Sequence, residues 1–236
     1  MRNAETRWTT VDEYLTDLLS PNDDVLKATL QASEHAGLPP IQVTATQGKM
    51  LFLLARTMKA RRILEIGTLG GYSTIWLGRA LPPGGRLVTL ESESTHASLA
   101  RSNIARAGLD ATVDLRLGRA LETLPMLVAE NPDPFDLIFI DADKAHTAPY
   151  FELSLPLSHR GSLIIADNVV RNGAVTNAQS DDPSVQGIRR FLDLLAVESR
   201  VSATAIQTVG SKGYDGFVLA FVINPSEKIV DGERHP

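Results

Sequence analysis

The chain contains no cysteine. That excludes disulfides, thiolate metal sites and a cysteine nucleophile, and it fits the expectation of a cytoplasmic protein. There is no run of basic residues, and the formal net charge is -5, so nucleic acid is not an expected partner. The N-terminal stretch Met1-Arg2-Asn3-Ala4-Glu5-Thr6-Arg7 has no apolar signal core. No apolar stretch approaches the roughly 18 residues of a spanning helix, so no membrane partner is expected. The G-x-G-x-x-G fingerprint of dinucleotide-binding folds is missing. Internal repeats and low-complexity linkers are missing too. What remains is an ordinary balance of 43% hydrophobic and 22% charged residues. A chain of this length reads as one α/β domain over 1–236 with a sizeable core.

Residues 8–20 carry Val11, Tyr14, Leu15, Leu18 and Leu19 at helical spacing. Asn22-Asp23-Asp24 can cap a second helix over Val25 to His35, which Gly37-Leu38-Pro39-Pro40 ends. Thr44 or Thr46 caps a third, running through Met58. These helices, within 1–58, are expected to form a lid or a dimer surface. From 59 to 224 strands and helices alternate, with strands expected at 61–66, 86–91, 112–117, 135–141, 161–166, 203–209 and 216–222. A helix is expected at about 184–198. Five βα units imply a doubly wound, Rossmann-like sheet of seven strands, mostly parallel. The turn cluster Gly210 to Gly216 is too short for a parallel crossover, so the last two strands are expected to form an antiparallel hairpin. The tail at 225–236 is polar and is expected to fray.

The first strand ends in Glu65-Ile66-Gly67-Thr68-Leu69-Gly70-Gly71-Tyr72-Ser73. This is a strand, a glycine turn and a helix start, in which glycine allows both a sharp turn and close approach of a ligand. Glu65 would repel phosphate and favours cationic or hydroxyl groups. Ser73 can donate to a carboxylate at the helix start. The second strand ends in Glu91, the position at which an acid bonds ribose hydroxyls in nucleotide-binding sheets. Two acids and a glycine turn suit S-adenosylmethionine, with its sulfonium, amine and ribose, better than a dinucleotide. Tyr72 and Trp76 read as packing.

Strand four runs into Asp141-Ala142-Asp143-Lys144, and strand five into Asp167-Asn168. In a doubly wound sheet these ends lie side by side on the ligand-binding edge. Asp141, Asp167 and Asn168 would converge there as hard oxygen donors, suited to Mg2+, Mn2+ or Ca2+ rather than zinc. The same residues also make helix caps and turns; their joint placement favours a site. Beside a divalent cation the Lys144 ammonium is disfavoured, so Lys144 can act as a general base, with His146 as a rival. Residues 171–183 form a long loop in which substrate contacts are expected.

Taken together, Glu65 to Ser73, Phe139-Ile-Asp-Ala-Asp-Lys144 and Ala166-Asp-Asn168 resemble the cation-dependent class I O-methyltransferases. That group contains catechol O-methyltransferase and the caffeoyl-CoA O-methyltransferases, and the resemblance runs from about Ile41 to Val222, nearer the caffeoyl-CoA and bacterial branch. It implies that Glu65, Gly67, Thr68 and Ser73 line the methionine part of S-adenosylmethionine and that Glu91 holds the ribose. Ala120 would face the adenine, Asp143 the methionine amine, and Thr44 (or Val43) would touch the cofactor. Asp141, Asp167 and Asn168 would ligate the metal, Lys144 would be catalytic, and Asn172 would contact the acceptor.

The implied activity is methyl transfer to a catechol-like phenol by a homodimer. Two departures leave the acceptor open. No acid occurs at Gln207-Thr208-Val209-Gly210, where the animal catechol enzyme has a glutamate, and Val169-Val170-Arg171 replaces the tryptophan that often follows Asp-Asn. Arg171 either favours an anionic acceptor or faces water. A sugar or polyketide hydroxyl, an NAD-dependent oxidation and a non-catalytic dimeric binding protein are the other readings.

Overall fold

The structure, a computed structural model, describes residues 2–20 and 23–224. The expected polar tail lies outside the described residues, as does Asn22 of the expected cap. Three helices come first: α1 (Arg2–Leu19), α2 (Asp24–His35) and α3 (Ala45–Thr57). Then follow β1 (Arg62–Ile66), α4 (Tyr72–Ala80), β2 (Arg86–Glu91), α5 (Ser94–Arg106), β3 (Val113–Leu117) and α6 (Ala120–Ala129). The second half holds β4 (Phe135–Ile140), α7 (Thr147–Ser154), β5 (Ser158–Asp167), α8 (Pro183–Val197), β6 (Val201–Gly210) and β7 (Gly213–Val222). No described helix is long and apolar enough to cross a membrane.

The seven strands form one sheet in the order β3-β2-β1-β4-β5-β7-β6. The first five pair in parallel, and β7 pairs antiparallel with both β5 and β6. The turn cluster closes the hairpin with only Ser211 and Lys212 between Gly210 and Gly213. β5 begins three residues before the expected 161, because Ser158 still pairs with Phe135 across a register irregularity. The first helix begins at Arg2, well before the apolar spacing that marked it.

Each central strand is buried on both faces, so its side chains alternate between two cores. Ile63, Leu87, Leu137, Phe139 and Ile165 pack with Leu51, Ile75, Leu77 and Ile104 of α3, α4 and α5. Leu64, Ile66, Val88, Leu90 and Ile138 pack on the other face with Leu124, Phe151, Ile188 and Phe191 of α6, α7 and α8. Trp76 belongs to the first core, edge-on to Phe52 at 6.2 Å, so it packs as expected.

The N-terminal helices are tied to the sheet by polar contacts. Thr44, not Thr46, caps α3, and Asp23 caps α2 while pairing with Arg79 at 2.7 Å. Asp12 of α1 accepts from Ser211 N at 3.0 Å, Ser211 Oγ at 2.6 Å and Thr46 Oγ1 at 3.1 Å. One residue therefore joins α1, α3 and the tip of the hairpin.

At the opposite edge, Asp136 fixes the entry to β1. Its Oδ2 accepts from Arg61 N and Arg62 N at 2.7 and 2.9 Å, and its Oδ1 meets His159 Nε2 at 3.0 Å. Burial pushes the Asp136 carboxyl up, but those N–H groups and His159 outweigh it and hold it below 3.8. Burial pushes the His159 imidazole down, but the Arg160 carbonyl and Asp136 outweigh it and hold it above 6.5. The stability contributed by His159 is therefore full below pH 6.5 and is lost as pH rises through its raised folded value. The contribution of Asp136 is present above 3.8 and is lost as pH falls through its lowered one. Side-chain exposures of 39% and 28% limit the ion pair to about 0.2–1 kcal/mol. His159→Gln is expected to lower stability by that much in urea melts at pH 5.5, and by less at pH 8. A cost that grows toward pH 8 would contradict the pairing.

Candidate active site

The chain reverses its winding between β1 and β4, and the carboxyl ends at such a point open a crevice. Register then decides which residues meet. Ile66 lies opposite Ile140, and Ile140 opposite Ala166. The next residue of each strand continues the same row, which places Gly67, Asp141 and Asp167 side by side. Asp141 N donates to Ile66 O at 2.8 Å and closes the row. Above it lies a cavity of about 920 Å3, walled by the glycine turn, the ends of β2 and β4, the start of α6 and the segment Ile41–Val43.

At one end of the cavity stands the glycine turn. Gly71 caps α4 with φ 85° and has no side chain, so nothing of its own covers the first N–H groups of the helix. Glu91 Oε2 accepts from Leu69 N at 2.7 Å and Thr68 N at 3.2 Å, while Oε1 accepts from Glu93 N at 2.9 Å. The acid at the end of β2 thus holds the turn in place and also lines the cavity. Gly67, Thr68, Ser73 and Ala120 are on the wall as well.

Glu65 is not on the wall. It is fully buried behind the turn, where Ser73, Thr74 and Thr89 donate to it at 2.6, 2.5 and 2.7 Å. Burial pushes its carboxyl up to about 7 against those three donors, with the charge of Asp141 adding to the rise. Ser73 therefore lines the cavity while its hydroxyl donates to the carboxylate of Glu65. Thr44 is likewise spent, accepting from Gln47 N at 3.2 Å and bonded to Thr46, and it stands off the wall where Gln42 and Val43 line it.

Beside the turn, Asp141, Lys144 and Asn168 also line the cavity. Lys144 Nζ donates to Asp141 Oδ1 at 2.7 Å. Asp167, only 5% exposed, lies immediately behind, accepting from Gln47 Nε2 at 2.6 Å and from Asn168 N at 2.8 Å. Burial, and then the charge of Asp141, drive its carboxyl well above the ordinary range despite Lys144. Among the described residues no three His, Cys, Asp or Glu converge on a point; the set is two carboxylates and an amide. Two mutually repelling carboxylates in a buried setting favour a cation between them, so these residues fit a hard divalent ion.

Asp143 lines the cavity too, and both its oxygens are engaged. Tyr150 donates its hydroxyl to Oδ2 at 2.5 Å, and the His146 ring bonds Oδ1. Burial raises the Asp143 carboxyl, but these two bonds outweigh it and leave it below 3.8. Burial and Asp143 together push the tyrosine far above its ordinary value. His146 is therefore held on Asp143, and it is Lys144 that stands against Asp141. Asn172 adopts φ 55° and its N–H donates to Tyr214 O at 3.1 Å; it is Arg171, not Asn172, that lines the cavity.

Gln47, Tyr150 and Asp215 are the supports that sequence reasoning missed. Asp215 Oδ1 accepts from Val170 N, Arg171 N and Gly216 N at 2.9, 3.0 and 3.0 Å, and so fixes the loop after β5. The sequence carries no local signal for the contacts of Gln47 and Asp215, which span 120 and 44 to 45 residues; Tyr150 reaches Asp143 across only 7.

Gly187 is a further support for Lys144. A methyl group there would fall on the backbone of Lys144 and Ala145, 2.5 Å from Ala145 Cα. An exposed mid-helix Gly→Ala ordinarily gains about 1 kcal/mol. Overpacking against backbone costs about 1–3 kcal/mol or more, so the clash wins. Gly187→Ala is expected to lower the melting temperature and to reduce turnover more than cofactor binding; a stabilised, fully active variant would refute this packing.

Residues 17–222 match the family described as O-methyltransferase. A catechol O-methyltransferase from Niastella koreensis is 52% identical over 212 residues, which cover 90% of this chain and 96% of that one. The crystal structure of an O-methyltransferase from Bacillus cereus in complex with SAH aligns with a TM-score of 0.90 at 57% identity, over 92% of this chain and 99% of that one. An O-methyltransferase from Streptomyces achromogenes, solved in complex with SAM, gives 0.90 at 51%, over 93% and 99%.

Proposed function

This chain belongs to the O-methyltransferase family of S-adenosylmethionine-dependent enzymes, and we propose that it methylates one hydroxyl of a catechol-like acceptor with the help of a divalent cation. The observation that carries the reading is that Asp141 and Asn168, with Asp167 immediately behind them and Lys144 2.7 Å from Asp141, open on the same cavity as the glycine turn and Glu91. The cofactor end would hold S-adenosylmethionine along Gly67, Thr68, Ser73, Glu91, Ala120 and Asp143. Glu65 then acts from behind the turn, and Thr44 as the cap of α3 next to the lining Val43. Asn172 would shape the acceptor loop through its backbone.

Mg2+, or Mn2+ or Ca2+, would be held by Asp141, Asp167 and Asn168, and its charge would orient two vicinal oxygens and lower the pKa of the reacting hydroxyl. Lys144 Nζ takes the hydroxyl proton, held in place by Asp141 Oδ1. The oxygen bonds to the methyl carbon as the carbon–sulfur bond breaks, and the neutral thioether leaves. Gln47 keeps Asp167 facing the row, and the walls from Ile41 to Val43 keep the acceptor in line with the methyl group.

The same reading includes a cytoplasmic setting and a homodimer. The exposed Tyr14, Leu18 and Leu19 of α1 support an N-terminal region that serves as lid or dimer surface, with neither nucleic acid nor membrane as partner. Methyl transfer to a caffeoyl-type catechol, followed by mass spectrometry with chelator and after Mg2+ is restored, tests the core. Product that is lost and regained supports the reading. Product indifferent to chelator removes the metal, and S-adenosylmethionine binding without product sends the search to sugar or polyketide hydroxyls.

A further inference from the structure

Arg171 lines the cavity three residues beyond Asn168. Its Nε is buried and has no hydrogen-bond partner among the described residues, and no ion pair there holds its guanidinium. The neighbouring acids do not serve it. Asp215, which touches the Arg171 backbone, spends one oxygen on three N–H groups. Asp141 is taken by Lys144, and Asp143 by Tyr150 and His146. A buried Nε without a partner is costly, and the planar fork it belongs to, partly open to the cavity, matches a carboxylate.

A second cation stands beside the cavity wall. Lys212, at the tip of the β6–β7 hairpin, donates through Nζ to Pro40 O at 2.5 Å, beside the cavity-lining Ile41. Burial pushes its ammonium below the ordinary value, and the charge of Asp141 opposes that. No acid occupies Gln207 to Gly210 of the same hairpin.

We propose that Arg171, flanked by Lys212, forms an anion subsite at the acceptor end of the cavity, and that the preferred acceptor is a catechol bearing a carboxylate. The inference rests on the catechol reading above and adds the charge of the acceptor. A single guanidinium matches a single negative charge, and the acids Glu91, Glu93, Asp141 and Asp143 around the same cavity disfavour a dianion such as phosphate.

The test compares 3,4-dihydroxybenzoate with its methyl ester, which carries the same vicinal hydroxyls without the charge. The protein is loaded with S-adenosylmethionine and Mg2+. Arg171 has φ 54°, and asparagine tolerates that conformation, so Arg171→Asn removes the charge without adding backbone strain. The acid-to-ester ratio of kcat/KM is expected to fall about tenfold in Arg171→Asn, mostly through KM. It should fall less in Arg171→Lys and modestly in Lys212→Met. Comparing ratios between proteins cancels the different acidity of the two phenols.

An unchanged ratio in Arg171→Asn, or a parallel loss for acid and ester, overturns the subsite. If the unaltered protein turns over neither compound, the catechol reading fails on its own. Equilibrium binding of the two compounds to the protein loaded with S-adenosylhomocysteine then decides the subsite: weakening of the acid alone in Arg171→Asn supports it, and equal affinities refute it. Should Arg171→Asn melt early, Arg171→Lys and Lys212→Met carry the same comparison.

Discussion

Asp141→Ala is expected to reduce methyl transfer to a catechol by about 1,000-fold or more while leaving S-adenosylmethionine affinity within about threefold. The size follows from what the residue would hold. Loss of a charge-stabilising cation removes several kcal/mol from the transition state, and each 1.36 kcal/mol is about tenfold in rate. The substitution also releases Lys144, whose Nζ rests 2.7 Å from Asp141 Oδ1, so base and metal are lost together. The cofactor end is spared because Glu91, not Asp141, accepts from the N–H groups of the glycine turn.

Stability should hardly change. Asp141 raises the carboxyls of both Glu65 and Asp167, so removing its charge relieves repulsion that offsets the lost bond to Lys144. Initial rates, isothermal titration with S-adenosylhomocysteine and a thermal melt separate these terms. Full metal-dependent turnover in Asp141→Ala would sink the ligand assignment. A collapsed melting temperature would instead mean that the row is structural, a result that Asp167→Asn would then have to reproduce.

The row of acids was legible in the sequence because it depends only on strand ends. Once β1, β4 and β5 are neighbours in a parallel sheet, the residue after each strand must lie at the same edge, and Gly67, Asp141 and Asp167 each hold that place or the one beside it. The hairpin was legible because the turn cluster Gly210 to Gly216 is too short for a parallel crossover, and the structure closes it more tightly still, at Gly210 and Gly213. What was not legible is which polar groups are already spoken for. Glu65 looked like a ligand contact because it ends a strand, but parity along β1 turns it toward α4, where Ser73 and Thr74 reach it. Thr44 and Ser73 carry hydroxyls that suit a ligand equally well as a cap or an internal partner, and the local bond wins in both. Gln47 and Asp215 act across 120 and 45 residues, and a single sequence carries no trace of such pairs.

Gly67 ties the two halves of the site together, and Gly67→Ala is expected to disable both. The residue has φ 102°, and a Cβ there would fall on the carbonyl of Asp141, 2.8 Å from its carbon and 3.2 Å from Ala142 Cα. Backbone strain for a non-glycine residue costs about 1–3 kcal/mol. Collision with main chain adds about 1–3 kcal/mol more, because β4 cannot yield without disturbing its pairing to β1 and β5. The sum is a large part of a typical domain stability of about 5–15 kcal/mol, so the variant should fold but melt early. Any relief of the collision moves the Asp141 backbone away from Gly67, and with it the carboxylate that Lys144 holds. Cofactor affinity and turnover are therefore both expected to fall by at least about tenfold, unlike Asp141→Ala, which spares affinity. Gly108→Ala isolates the conformational part: φ is 69° there and nothing lies within 4 Å of the added methyl group, so its cost should be about 1–2 kcal/mol with full activity. If urea denaturation gives the two variants the same loss, the contact between the glycine turn and Asp141 is not what holds the site together; if Gly67→Ala loses clearly more stability along with both functions, it is.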